Sequence, residues 1–265
     1  MAQDDRHMLH SPIFFLDSTP LSPIFQDRVA ILPKESYTLL MRYDSIREAI
    51  FIERPNRFIA HVLLDGAPVV CHVKNTGRCR ELLVPEARVI LSYSTNPLRK
   101  TAYDLVSVYK GERLINMDSQ APNAIAAEYL PRLFPDLTEL RREVAWGDSR
   151  FDFYGVKGDR PFYLEVKGVT LERDGRVLFP DAPTERGAKH LRELKKLRQA
   201  GTDAYVLFVI QMQDVLSLEA NRETDPAFAD ALLAARAAGV GVYAVDCLVT
   251  PDSVTARSTV PVLFL

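Results

Sequence analysis

The sequence predicts a mixed α/β protein of two domains, a small closed β-barrel followed by an α/β domain built on a mixed sheet. Three observations carry this. From Phe51 to Met117 the chain runs in short alternating or β-branched segments split by turn residues, the pattern of a compact all-β unit. After Pro122 the apolar period lengthens to that of a helix, with Ile125, Ala126, Tyr129, Leu130 and Leu133 on one stripe. Strand-like and helix-like segments then alternate to Val245, as α/β domains require. The 265 residues, 47% hydrophobic and 26% charged, hold enough apolar material for both cores.

Residues 1–45 carry Pro12, Pro20, Pro23 and Pro33 and no sustained period, so a poorly ordered or loosely docked extension is expected there. A barrel domain is expected over 46–121, with strands at Arg57–Leu64, Pro68–Val73, Ala87–Tyr93, Ala102–Tyr109 and Arg113–Met117. Asp65-Gly66, Asn75-Thr76-Gly77, Asn96-Pro97 and Lys110-Gly111 supply the turn geometry between them. Five strands in so short a stretch point to an OB-like barrel.

The second domain, 122–265, opens with the helix after Pro122. Strands are expected at Arg142–Trp146, Arg150–Tyr154 and Phe162–Val166, the last two joined by the turn Lys157-Gly158-Asp159-Arg160. A helix over Thr184–Ala200 turns Leu191, Leu194 and Leu197 inward and stops at Gly201. Ala204–Gln211 reads as a buried strand. Asp225–Ala238, with Pro226 in its first turn and Gly239 at its end, reads as a helix leading to a last strand at Val240–Val245.

Lys+Arg 33 against Asp+Glu 35 gives a formal net charge of -2, so a nucleic-acid partner has to be argued from local patches. Cys71, Cys79 and Cys247 form no Cys-x-x-Cys pair, which argues against a zinc site or a disulfide framework and favours a reducing compartment, the cytoplasm. No apolar run approaches the roughly 20 residues of a membrane span. There is no Gly-x-Ser-x-Gly elbow or phosphate-cradling glycine loop, and the five histidines lack metal-ligand spacing.

The chemistry-bearing segments are Ser149-Arg150-Phe151-Asp152-Phe153 and Tyr163-Leu164-Glu165-Val166-Lys167-Gly168. Side chains alternate along a strand, so Glu165 and Lys167 share a face, and Asp152 lies on the preceding strand of a hairpin. Two carboxylates suit a hard cation such as Mg²⁺ or Mn²⁺, and a neighbouring ammonium can orient water or offset charge on a phosphate. This constellation points to phosphodiester hydrolysis. Glu-x-Lys is also an ordinary solvated strand face.

Asn75-Thr76-Gly77-Arg78, Pro122-Asn123, the Asp152 and Glu165-Val166-Lys167-Gly168-Val169-Thr170 segments, and Phe179-Pro180-Asp181-Ala182-Pro183-Thr184-Glu185-Arg186-Gly187 followed by Lys189-His190-Leu191 together resemble the sugar fermentation stimulation protein (SfsA) family. The resemblance runs from about Phe51 onward. It implies an N-terminal OB-fold domain, a C-terminal PD-(D/E)xK nuclease-type domain and DNA binding, with Asp152, Glu165 and Lys167 on the nuclease pattern. Lys74 departs from the proline usual before Asn-Thr-Gly and adds a cation. Related nucleases often place another acid on the first helix of this domain, which makes Glu128 a third candidate metal ligand after Asp152 and Glu165; an exposed helix carboxylate is the plainer reading. Asp181 is expected either to support the site from a loop or to serve as a turn acid before Thr184.

Two basic clusters are candidate nucleic-acid contacts. Arg186, Lys189, His190, Arg192, Lys195 and Lys196 crowd one helix, where cations can track phosphates without reading sequence. His72, Lys74, Asn75, Arg78 and Arg80 bracket the Asn-Thr-Gly turn, with Phe58, Tyr93 and Tyr103 available for stacking. Two functions are therefore expected as alternatives: a Mg²⁺-dependent nuclease acting on DNA, or a DNA-binding protein that retains the acidic cluster without cutting.

Overall fold

The computed structural model describes residues 41–75 and 77–264. Most of the expected extension, residues 1–40, lies outside them. Its last five residues are docked: β1 (Met41–Arg42) pairs antiparallel with Ser253 and Val254, and Tyr43 is buried.

The barrel is built from β2 (Ile46–Asn56), β3 (Ile59–Leu64), β4 (Ala67–Val73), β5 (Arg88–Tyr93) and β6 (Tyr103–Lys110), in the cyclic order β4-β3-β2-β5-β6, closed by a parallel β4–β6 pairing. This strand order is that of an OB barrel. Inward residues alternate along each strand, as Ala60, Val62 and Leu64 do on β3, so the interior is a packed core. Two expected strands change places here. The first barrel strand is β2, whose outward Ile50 and Ile52 obscure the alternation of Ala49 and Phe51. The expected fifth strand, β7 (Arg113–Asn116), pairs only with β6 and hangs outside the closure.

The α/β domain runs α1 (Ala121–Leu133), β8 (Leu137–Trp146), β9 (Ser149–Lys157), β10 (Arg160–Val169), β11 (Leu171–Arg173), β12 (Arg176–Phe179), α2 (Glu185–Gln199), β13 (Asp203–Ile210), β14 (Ser217–Ala220), α3 (Pro226–Ala237), β15 (Gly241–Thr250), β16 (Ser253–Thr259) and β17 (Val262–Leu263). The main sheet has the order β1-β16-β15-β13-β10-β9-β8, parallel through β15-β13-β10 and antiparallel outside. All eight residues of β13 are buried, as expected of a parallel strand covered on both faces. Tyr205, Leu207 and Val209 pack toward α1, while Val206 and Phe208 pack toward Leu191, Leu194 and Phe228 of α2 and α3. Local capping fixes both latter helices. Thr184 Oγ1 accepts from Gly187 N at 3.1 Å and Asp225 Oδ1 accepts from Phe228 N at 2.8 Å. A smaller sheet, β11-β12-β14-β17, lies outside the sequence expectation.

A buried polar cluster joins the two domains. Asp118, with no exposed side-chain area, takes Lys74 Nζ at 2.6 Å and the Tyr43 hydroxyl at 3.3 Å. Asn116 donates to Tyr43 and receives a hydrogen bond from Gln211 Nε2 at 2.8 Å. Lys110 and Arg113 of the barrel also pair with Glu172 of β11. Together these contacts hold the barrel against the carboxyl end of the parallel strands.

Candidate active site at the domain seam

The β9–β10 ladder runs from Arg160–Lys157 to Leu164–Phe153 and stops. Phe151 joins the core beneath α2 and Phe153 the core beneath α1, so the strand twists through Asp152. The Asp152 carboxylate replaces the missing ladder partner: Oδ2 accepts from Val166 N at 2.8 Å, and Oδ1 accepts from Asn123 Nδ2 of α1 at 2.8 Å. The fork between the strands opens a cleft of ≈ 490 Å³ whose floor carries Asp152, Glu165, Val166, Lys167 and Gly168. Pro122 and Asn123 of α1 form one wall, and Thr170, Gln211, Asp181 and Arg186 form another. Asn75 and Ser119 reach in from the barrel side. At Gly168 a Cβ would lie 2.6 Å from Pro122 Cγ and 2.8 Å from Gln211 Oε1, so only glycine lets α1 and the Gln211 loop approach the floor this closely.

Glu165 is 4% exposed. Its Oε1 meets Lys167 Nζ at 2.7 Å and the Nδ1 of His190, while Oε2 is buried with no hydrogen-bond partner. Because Arg186 Nε donates to His190 Nε2, the imidazole carries its proton on Nδ1 and donates it to Glu165. Burial works to raise the Glu165 carboxyl, but the hydrogen bonds from His190 and Lys167 and the Lys167 charge outweigh it and hold it below the usual carboxylate range. Asp152 is pushed up, first by burial and then by the Glu165 charge, against the opposing hydrogen bonds of Val166 and Asn123. Two carboxylates at odds and a buried oxygen without a donor are the chemistry of a hard divalent cation. Asp152 and Glu165 are the residues that would hold it.

The other candidates are distributed differently. Glu128 does not line the cleft; it sits a turn and a half along α1 from Asn123, facing Arg142, with its pKa raised to about 7 by burial. Among the described residues no three acids, histidines or cysteines cluster as metal ligands, and Glu128 stands apart from Asp152 and Glu165 of the cleft. Lys74 is committed to buried Asp118 and is a structural cation. Asn75 shapes its loop, accepting from Gly77 N at 2.7 Å and donating to Met117 O at 3.0 Å, and also lines the cleft. His190, 4% exposed, is a partner of Glu165 rather than a surface phosphate contact. Arg186 is exposed at the cleft rim. Lys189 is exposed and loosely tied to Glu193 at 3.7 Å; Arg192 and Lys196 are exposed and Lys195 is half-buried, all three without an ion pair to any described residue. Arg78 and Arg80 are exposed beside the barrel.

Arg54 shapes the seam without any mark of that role in its sequence context. Its guanidinium donates to the carbonyls of Arg57, Asn75, Gly77 and Arg78 at 2.6 to 2.9 Å, clamping the β2–β3 turn to the Asn75–Arg78 loop. An arginine on a strand is ordinarily a surface charge, and only the folded loop supplies four convergent carbonyls.

An OB barrel seated on an α/β domain, with an Asp and a Glu-x-Lys where two strands diverge, defines a two-domain protein of restriction-endonuclease-like architecture. Residues 52–117 match the SfsA N-terminal OB domain and residues 120–253 the sugar fermentation stimulation protein RE domain. The chain belongs to the sugar fermentation stimulation protein family. It is 53% identical to the sugar fermentation stimulation protein homolog of Desulfitobacterium hafniense (strain Y51), over 84% of this chain and 98% of the relative. It is 52% identical to the homolog of Clostridium beijerinckii, over 84% and 100%. Among solved structures it matches that of Pyrococcus furiosus SfsA in complex with Ca²⁺, with TM-score 0.77 at 24% identity, over 84% of this chain and 98% of the other. No helix among the described residues is long and apolar enough to cross a membrane.

Proposed function

We propose that this protein binds DNA along the seam between its domains and hydrolyses phosphodiesters with a divalent cation, Mg²⁺ or Mn²⁺, held by Asp152 and Glu165. The observation that carries this reading is Glu165 itself, buried beside Asp152 with one oxygen held by His190 and Lys167 and the other without a partner. Leaving a buried acceptor unsatisfied costs about 1–3 kcal/mol, and a bound cation offsets that cost. Such an ion lowers the pKa of bound water and neutralises charge developing on the phosphate. The protein's own residues orient the reaction. Asn123 and Val166 N fix the Asp152 rotamer, and His190 fixes Glu165. Lys167, on the same strand face, holds an ammonium where an attacking water needs a charge partner. Arg186 offers a guanidinium fork to a phosphate entering from the rim. The P. furiosus SfsA structure, described as a complex with Ca²⁺, supports a cation-binding reading for the family fold.

The test is cleavage of single- and double-stranded DNA with Mg²⁺, Mn²⁺ or EDTA, with Asp152→Ala, Glu165→Ala and Lys167→Ala in parallel. Metal-dependent cutting that the three variants lose supports the nuclease. A second reading, DNA binding without turnover, is favoured by the absence of a three-ligand cluster among the described residues and by Lys167 already neutralising Glu165. DNA binding with no cutting under either metal selects it.

A further inference from the structure

A second groove, ≈ 750 Å³, runs along the barrel from the β2–β3 turn to the loop before α2. It meets the cleft at one point. Gly77 lines the groove, and a Cβ there would lie 2.9 Å from the Asp181 carboxylate, which lines the cleft. Ala182 and Pro183, next in the chain, form the groove's far end. The two hollows thus adjoin across the Gly77–Asp181 contact. The groove's lining mixes cations and apolar side chains with Asn56 and the exposed carboxylate of Glu53, which pairs with His61 at 2.8 Å. Arg57, Arg78 and Arg80 are exposed and form no ion pair with any described residue. Arg54 holds the backbones of Arg57 and Arg78 through two of its four carbonyl bonds. Between these cations lie exposed apolar side chains, Ile52 at 40% and Pro85, with Phe58 at 51% on the adjoining turn.

Resting on the DNA-binding reading above, we propose that this groove seats an unpaired polynucleotide strand and feeds it into the cleft. A duplex buries its base faces in the stack and offers a groove only phosphates and base edges, so apolar lining gains nothing from it. An unpaired strand presents phosphates to the arginines and base faces to Ile52 and Phe58 together. The floor of the cleft points the same way. Glu165 lies 4% exposed at the bottom of a fork, which a flexible strand enters more readily than a rigid duplex. The exposed side of α2, by contrast, presents Arg186, Lys189, Arg192 and Lys196, charge without apolar lining, and suits either form.

The experiment is fluorescence anisotropy on the full chain in EDTA, so that binding is read without cutting. The probes are an oligothymidylate, an oligouridylate and a blunt duplex, each about 20 nucleotides or base pairs long. Arg78→Ala with Arg80→Ala should weaken both single strands about tenfold and flatten their log-log salt slope by about 1.4, at about 0.7 per lost contact, with the duplex within about twofold. Ile52→Ser should weaken the single strands several-fold without changing the salt slope. Arg192→Ala with Lys196→Ala should weaken all three probes alike. All changed side chains are exposed, and thermal melts confirm folding. A loss confined to one of the two single strands assigns the groove to that polymer. Equal losses on strand and duplex, or none, overturn the groove while leaving DNA binding in place. Failure of the unsubstituted protein to bind any probe overturns the DNA-binding reading itself.

Discussion

Lys74 decides whether the barrel's basic loop is a nucleic-acid contact or a rivet on the barrel side of the domain seam. Its ammonium lies 2.6 Å from Asp118 Oδ2, whose side chain has no exposed area. Lys74→Met keeps the stem and removes the charge, leaving a buried carboxylate with the Tyr43 hydroxyl at 3.3 Å and the Gln120 amide at 2.9 Å as partners. Breaking one side of a buried pair costs about 3–5 kcal/mol, and the two surviving donors set the value at the lower end, about 3. For a chain of this size that is a fall in Tm of roughly 6–12 °C. The double variant Lys74→Met, Asp118→Asn should recover most of the loss, since no uncompensated charge remains. Arg78→Met, exposed and unpaired among the described residues, should move Tm by no more than about 2 °C. Calorimetry and DNA-binding salt titrations on all three read the answer. If Lys74→Met melts with the parent and its salt slope falls by about 0.9, the lysine contacts phosphate and the rivet argument fails.

Three further outcomes are expected. Mg²⁺, Mn²⁺ and Ca²⁺ should each raise the Tm of the parent protein, by linkage to the folded state, and Asp152→Asn should abolish the rise; a preserved shift places the cation elsewhere. Glu128 keeps its proton to about pH 7 when folded but sheds it near pH 4.5 unfolded, so the stability it contributes is present below pH 4.5 and lost as pH rises through 7. Glu128→Gln, a mimic of the protonated acid, should match the parent at low pH and exceed it above pH 7 by on the order of 1 kcal/mol after solvent screening, as denaturant melts at both ends would show. A chain beginning at Ile46 should melt roughly 4–12 °C below one beginning at Met41, because it loses buried Tyr43, about 2–3 kcal/mol with its hydrogen bonds; equal melting would mean that β1 and Tyr43 are dispensable.

What the sequence reveals of this fold follows from where local rules suffice. α2 spans Glu185–Gln199 against an expected Thr184–Ala200 because its leucine stripe lies within the segment and its cap Thr184 and stop Gly201 lie directly beside it. β13 is readable because every residue in it is apolar or half-apolar from Ala204 to Ile210. β2 is not: its outward isoleucines and its Arg47, Glu48, Glu53 and Arg54 blur the period. β11 and β12 are only three and four residues long and pair with each other across Asp174-Gly175, both at positive φ; that Asp-Gly turn is the local hairpin signal that sequence reasoning missed, while their pairing with β14 is not local. At the site, Glu165 and Lys167 share a face by strand alternation alone. That His190 belongs to Glu165 and Lys74 to Asp118 depends on folds that bring residues 25 and 44 positions apart together, and the basic clusters read in sequence as uniform therefore contain both rivets and free cations.

β1 precedes the barrel in the chain yet pairs with β16 near the other end, so the barrel is in effect inserted into the α/β domain. During synthesis the barrel strands emerge first and can close at once. The lead segment at Met41–Tyr43 must then wait for Ser253 and Val254, roughly 200 residues later, which at about 5–20 residues per second is on the order of 10–40 s. Until then Tyr43 has no Asp118-lined seat formed against a finished sheet, and the β16 edge, once made, stands uncapped. β1 therefore acts as a latch of the molecule, set only once β16 exists although it is made before the barrel.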